Sequence, residues 1–311
     1  MSRNVRVAVC STPLRVPDGS DAEKLAYNLD TAEELIVRAA ERQADIACLP
    51  EVFHVKGISR AGEAGKWFED VPGGPTFSRM SQIAQRYNIN VVAPILAIEE
   101  GERRNLAMVF DRTGAYVGGY QKVHLTEVES DEWGIIPGRD WPVFDLDFGK
   151  IGITICYDVN FPEGFRILAL QGAEIIFHPT VYGMYGEVGW EAVIKARAID
   201  NCVYVCPVNN GIEDDAPWMP GMCLNRSSVI GPDGVFLADL GRYWGMAVAE
   251  IDLDRPRIVR SMGASGEANF REKMWEHRRP ETYGKLSEHG HWVENGYPRE
   301  TAAVVQATDK E

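Results

Sequence analysis

Short, almost wholly apolar runs, separated by stretches of helical periodicity, constrain this chain more than any other feature. Ile46-Ala47-Cys48-Leu49, Asn90 to Ile98, Ile151 to Ile155, Ile175-Ile176-Phe177 and Val203 to Val208 are too short for ordinary helices. They are also too uniformly apolar for strands with one wet face, so they read as strands covered on both sides. The covering layers stand between them. From Ser20 to Gln43, Leu25, Leu29, Ala32, Ile36 and Ala39 recur at helical spacing, with acidic residues near the start and Arg38 and Arg42 near the end. Further helices are predicted over Pro75 to Tyr87, from Pro162 to about Gln171 with Asn160 as a candidate cap, and over Val188 to Asp200. Val5 to Val9 alternates as a strand. Asn105 to Phe110 and Tyr116 to Tyr120 form a hairpin around Arg112-Thr113-Gly114, and Gly231-Pro232-Asp233-Gly234 turns a second one. The expected fold class is therefore α/β, with mixed sheets inside and helices outside.

The 311 residues, 45% of them apolar, suffice for a sizeable core. A formal charge of -14, spread along the chain, argues against a nucleic-acid partner. The six cysteines lie in or beside apolar runs, where thiols act as small core residues and no disulfide framework is expected. Cys202 to Cys206 lacks zinc-site spacing, so no metal is expected. No run approaches the roughly 20 apolar residues of a membrane span. The polar Met1 to Asn4 start lacks a signal-like apolar core, so the expected location is the cytoplasm.

Three reactive residue types stand where buried strands end: Glu51 after Cys48-Leu49-Pro50, Lys122 after Gly119-Tyr120-Gln121, and Cys156 after Ile153-Thr154-Ile155. Strand ends are where functional groups converge in α/β sheets. A cysteine attacks as its thiolate, which requires a base or a positive charge nearby. His124, one strand step beyond Lys122, is read as supporting structure and not as the base of a Cys-His pair. Glu163 and Arg166, three apart on one helix, are read as an ion pair.

The segments Leu49-Pro50-Glu51-Val52-Phe53, Tyr120-Gln121-Lys122-Val123-His124-Leu125 and Gly152-Ile153-Thr154-Ile155-Cys156-Tyr157-Asp158 resemble, in this order, those of the nitrilase superfamily. The resemblance continues through Phe161-Pro162-Glu163, Arg197 to Asn201 and Ser228 to Gly234, covering roughly residues 5 to 285. It implies a four-layer α-β-β-α sandwich and a cysteine hydrolase without a cofactor. Glu51 would take the thiol proton and return it to the leaving nitrogen; Lys122 and the backbone N–H of Tyr157 would stabilise the oxyanion. A second glutamate should follow the lysine. Glu129 fits by spacing from Lys122, and Glu132 by spacing back from Pro137-Gly138, with Glu129 preferred. The resemblance also implies a homodimer or larger assembly, with Asn269 to Leu286 as a C-terminal arm. Residues 1–286 are thus expected to be one domain and residues 287–311 a polar tail.

Cys156-Tyr157-Asp158 resembles the amidase and carbamoylase branches more than the nitrilases, which favours a small-molecule amide or N-carbamoyl substrate over a nitrile. Acyl transfer to an amine and a catalytically silent interaction protein are the alternatives carried forward. No arginine follows the nucleophile to grip a substrate carboxylate, so a neutral or partly apolar amide is preferred. Phe53, Trp133 and the loop Tyr182 to Gly186, with Trp190 beyond it, are the candidate pocket wall; that loop reads equally well as an oligomer contact.

Overall fold

Strand β1 (Asn4–Ser11) shows how one alternating sequence builds two interfaces. Val5, Val7 and Val9 enter a core shared with the opposite sheet, whereas Ala8 and Cys10 enter a second core beneath a helix. Each fully buried valine or isoleucine of this kind contributes about 1.5–3 kcal/mol. The computed structural model describes residues 2–58, 67–181, 186–213, 226–254, 258–260 and 267–287.

After β1 come helix α1 (Asp21–Glu41), β2 (Ile46–Cys48), the short β3 (Glu69–Asp70), helix α2 (Pro75–Tyr87), and β4 (Asn90–Glu99), β5 (Glu102–Phe110) and β6 (Tyr116–Gln121). The second half runs through β7 (Val143–Leu146), β8 (Gly149–Ile153), α3 (Pro162–Leu170), β9 (Ile175–Pro179), α4 (Gly186–Asn201), β10 (Tyr204–Val208), β11 (Ser228–Ile230), β12 (Phe236–Asp239) and β13 (Gly245–Asp252). One sheet has the order β13-β1-β2-β4-β5-β6, with β3 on β4; the other has β12-β11-β10-β9-β8-β7. In each, a parallel centre (β1-β2-β4 or β8-β9-β10) is flanked by antiparallel strands. Helices α1 and α2 pack on the first sheet, α3 and α4 on the second. The result is the expected α-β-β-α sandwich.

Local sequence explains the connections. Ser20 caps α1 through a reciprocal capping box with Glu23, worth about 1 kcal/mol. Glu69 caps α2 from outside it, accepting from the Thr76 backbone N–H at 2.7 Å and its hydroxyl at 2.6 Å. β4 and β5 meet in a two-residue turn, Glu100-Gly101, with φ of 54° and 82°. That primed geometry matches strand twist and extends both strands past the positions read from sequence.

The chain divides into two compact units between Arg271 and Glu272. Strands β14 (Ile258–Arg260) and β15 (Glu267–Asn269) pair antiparallel, helix α5 (Phe270–Glu276) follows, and 3-10 turns occupy Pro280–Thr282 and Gly284–Ser287. Among the described residues, no helix is long and apolar enough to cross a membrane.

Candidate active site

Glu51 follows β2 just before Val52, whose left-handed backbone (φ 47°) opens a 3-10 turn over Phe53–Val55. Cys156 opens another, Cys156–Asn160, after Thr154 and Ile155 have extended the chain beyond β8, itself with φ of 46°. A non-glycine residue in this region costs on the order of 1–3 kcal/mol, so the surroundings must hold it there. Asp158 supplies much of that hold. Fully buried, it accepts from the Ile155 backbone N–H (2.8 Å), the Tyr120 hydroxyl (2.7 Å), the His124 backbone N–H (3.0 Å) and His124 Nδ1 (2.9 Å). One carboxylate thus ties the turn bearing Cys156 to residues on both sides of Lys122. Arg197 of α4 adds two bonds to the Val159 carbonyl, and the His124 ring stacks on Phe161 at 3.7 Å.

The side chains of Glu51, Lys122 and Glu129 meet out of contact with water, at 3%, 2% and 4% exposure. Lys122 Nζ donates to Glu51 Oε1 at 3.0 Å and to both Glu129 oxygens at 2.8 Å. Asn105 Nδ2 donates to Glu51 Oε1 and Glu129 Oε1, each at 2.8 Å. The backbone N–H of Val181 reaches Glu51 Oε2 at 3.0 Å, and Thr126 gives Glu129 Oε2 its N–H and hydroxyl, both at 2.9 Å. The Cys156 thiol lies within the influence of the cluster, where Glu51, Lys122 and the Thr180 side chain all act on it.

Charge follows from this geometry. Burial acts to lower Lys122, but Glu51, Cys156 and Glu129 outweigh it and hold the ammonium above the ordinary lysine range. Burial raises Glu129, yet Lys122 and the hydrogen bonds bring it below its ordinary value. Burial and then the Glu51 charge push the Cys156 thiol well above the cysteine range, against the pull of Lys122 and Thr180. Two carboxylates already face one ammonium, so a resting thiolate would add a second uncompensated negative charge.

A cavity of about 330 Å³ opens on Glu51, walled by Val55, Ile58, Trp67, Leu96 and Trp133, with Lys56, Asn209 and Asn210 also on its lining. Trp133, expected there, packs edge-on against Trp67 at 5.7 Å. Other residues expected to line the wall or meet the substrate have side chains elsewhere. The turn at Val52 sends Phe53 into the core under α1. Trp190 is buried beside His178 beneath the second sheet. Tyr157 packs edge-on against Phe161 outside the cavity lining, and Glu132 is exposed. Tyr182 and the rest of its loop through Tyr185 fall outside the described residues. Arg166 does not pair with Glu163; its guanidinium donates to the Asp200 carbonyl at 2.6 Å, an unsatisfied acceptor at the end of α4. Asn160 likewise turns back to the Tyr157 carbonyl and does not cap α3. Among the described residues, no group of three His, Cys, Asp or Glu is arranged to hold a metal ion.

The carbon-nitrogen hydrolase family model matches residues 6–260. The chain belongs to this family. Relatives of this carbon-nitrogen hydrolase include a deaminated glutathione amidase of Synechocystis, 34% identical over 76% of the chain and 90% of the relative. Omega-amidase NIT2-A of Xenopus laevis is 30% identical over 73% and 83%. Among solved structures, an amidase from Nesterenkonia sp. superimposes with a TM-score of 0.70 at 24% identity, covering 92% of this chain and 97% of its own. A glutamate-to-glutamine mutant of that amidase, 26% identical with a TM-score of 0.65 over 81% and 96%, carries acrylamide added to its active-site cysteine. Saccharomyces cerevisiae Nit3, of the nitrilase superfamily, matches with a TM-score of 0.68 at 23% identity over 82% and 93%.

Asn105, Thr126, Asp158, Thr180 and Lys56 were not legible as site residues. Only Asn105 carries a local signal, a buried polar residue directly before the apolar run Leu106 to Phe110 of β5.

Proposed function

We propose that this carbon-nitrogen hydrolase cleaves the amide bond of a small molecule, with Cys156 as nucleophile, Glu51 as general base and acid, and Lys122 as the cation facing the oxyanion. One carboxylate, Glu51, bonded to the Lys122 ammonium and acting directly on the Cys156 thiol, carries this reading. Because the resting thiol keeps its proton, transfer to Glu51 accompanies attack of sulfur on the amide carbon. Protonation of Glu51 weakens its hold on Lys122 and leaves the ammonium to the new oxyanion. Glu51 then gives the proton to the departing nitrogen as the C–N bond breaks, leaving a thioester on Cys156. Water attacks the thioester, Glu51 takes its proton, and the acid product leaves with the thiol restored. Glu129 orients Lys122 through both of its oxygens.

The apolar wall of the cavity favours a partly apolar acyl chain. The relatives' names, deaminated glutathione amidase and omega-amidase, support an amide in place of an N-carbamoyl group. Cys156→Ala is expected to abolish turnover and the covalent adduct. Ammonia release from a panel of linear primary amides, with intact mass on the enzyme, measures both; a variant with undiminished turnover overturns the nucleophile assignment.

The same reading extends to assembly and location. Ile199 of α4, which lies beside Gly234, and the exposed Val235 and Leu237 form an apolar face suited to a second copy, and Val188, 84% exposed, stands on the same helix. The segment from Asn269 to Leu286 serves as an arm of the catalytic domain that reaches this second copy. Light scattering giving a monomer at micromolar concentration rejects both. Five cysteines, Cys10, Cys48, Cys156, Cys202 and Cys206, are free, which suits the reducing cytoplasm.

A further inference from the structure

The cavity is lined by a cation that no group among the described residues satisfies. Among the described residues, Lys56 Nζ is buried without a hydrogen-bond partner. Its backbone is fixed: buried Asn28 donates to the carbonyls of His54 and Lys56, both at 2.9 Å, and Lys24 Nζ donates to the Gly57 carbonyl at 3.0 Å. The ammonium therefore belongs to a held turn and lines the same cavity as Glu51. Glu213 is the carboxylate that acts on it, but without bonding; Glu213 Oε2 is itself buried without a partner, and Oε1 accepts from the Arg15 N–H at 3.2 Å. Burial, partly offset by Glu213, pushes Lys56 down to about 7. A ligand anion would restore its charge.

Among the described lining residues, Lys56 is the sole cation. Glu51 is the sole anion there, and the groups around them are apolar side chains and the neutral Asn209 and Asn210. A cavity with one negative and one positive pole orients a molecule that is neutral at one end and anionic at the other. Its uncharged amide can approach Glu51 and Cys156, while its anion is repelled there and drawn to Lys56. We infer that the Lys56 ammonium receives a carboxylate at the end of the substrate's acyl chain remote from the scissile amide. The position of the scissile bond rests on the amide-hydrolase reading above. The substrate class is then the monoamide of a short dicarboxylic acid, which narrows the expectation of a neutral amide: partly apolar in its chain, but acidic at its tip.

The test pairs succinamate with butyramide, glutaramate with valeramide, and adipamate with hexanamide, in the wild-type protein and in Lys56→Met and Lys56→Gln. The acidic member should win by at least tenfold in kcat/KM for one chain length. Both variants should cut that ratio at least tenfold. A neutral amide preferred at every length overturns the inference, as does a ratio unchanged in both variants, or an equal fall for both members of each pair.

A second arm needs no turnover. Succinate, glutarate or adipate should slow alkylation of Cys156 by iodoacetamide in the wild type and lose that effect in Lys56→Met. No slowing by any of the three, or slowing that survives the substitution, overturns the role of Lys56. If no amide is hydrolysed, the amide-hydrolase reading fails by itself, and this arm still decides whether Lys56 binds a carboxylate.

Discussion

Lys122 and Lys56 both bury an ammonium, the first bonded to Glu51 and the second lining the cavity that opens on Glu51, and their surroundings could hardly differ more. Lys122 donates to Glu51 and Glu129 within 3.0 Å and is held above the ordinary lysine range. Lys56 has no hydrogen-bond partner among the described residues and is pushed down to about 7. The same desolvation acts on both; the carboxylates decide the outcome. A buried charge with every donor engaged is part of the framework. A buried charge without a partner stores free energy that a complementary ligand can release.

Removing Lys122 should break the comparison most violently. Lys122→Met leaves Glu51 and Glu129 facing each other without a cation, and losing one partner of a buried ion pair costs about 3–5 kcal/mol. Chemical denaturation should register that loss, alongside a fall in kcat of about 10³-fold if Lys122 faces the oxyanion. A variant as stable as the wild type would show that the cluster is not held together as drawn. The pH dependence carries the same signature. The lowered Glu129 gives stability that is present above the unfolded carboxylate value of about 4.3 and lost as pH falls through its folded value. The raised Lys122 contributes fully below about 10.4, and that contribution is lost as pH rises through its folded value. Cys156 keeps its proton in the fold while the unfolded thiol ionises near 8.5, so the alkaline decline begins there. The cluster should stabilise fully from about pH 5 to about pH 8.5, and Lys122→Met should lose the acid limb that Glu129 provides.

Asp158→Asn ranks next, because it attacks the scaffold common to the paired groups while sparing Lys56. An amide can accept at one atom only, so buried donors among Ile155, Tyr120 and His124 lose their carboxylate acceptor, at about 2–3 kcal/mol. Displacement of the Cys156 turn should lower kcat up to about 10²-fold, with a smaller change in KM. A kcat that stays put while stability falls would make Asp158 purely structural.

How much of this the chain discloses depends on whether a residue's role is local. Glu51, Lys122 and Cys156 are visible because each interrupts or follows an apolar run, and the run's burial is written in its own composition. The helices over Pro75 to Tyr87 and Asp21 to Glu41 are equally plain, since periodicity and caps lie within one segment. Asp158 is different: its partners Tyr120 and His124 lie 38 and 34 residues away, and nothing near it distinguishes a brace from a solvated loop acid. Arg166 misleads for the same reason, its acceptor Asp200 being 34 residues distant and its neighbour Glu163 only three. Phe53 was drawn to the cavity by adjacency to Glu51, an inference that the backbone reversal at Val52 undoes. The β4–β5 turn escaped because charged Glu99, Glu102, Arg103 and Arg104 frame it, and strand β7 because its four residues include Asp145.

Lys56→Met offers the gentlest test and the one with the opposite sign. In the free protein its ammonium is buried with no hydrogen bond to offset desolvation, and methionine fills similar volume without that cost. Stability at pH 6, where Lys56 is still mostly protonated, should rise by about 1 kcal/mol, and the melting temperature with it. The gain should be somewhat smaller at pH 8 and vanish only towards about pH 10.4, since above its folded value the buried lysine must shed a proton that the unfolded chain still holds. The Glu213 charge, left without the cation that acts on it, reduces the gain at both pH values. A loss of stability in Lys56→Met, comparable to that in Lys122→Met, would mean that the two lysines are framework alike and that the contrast between them is false.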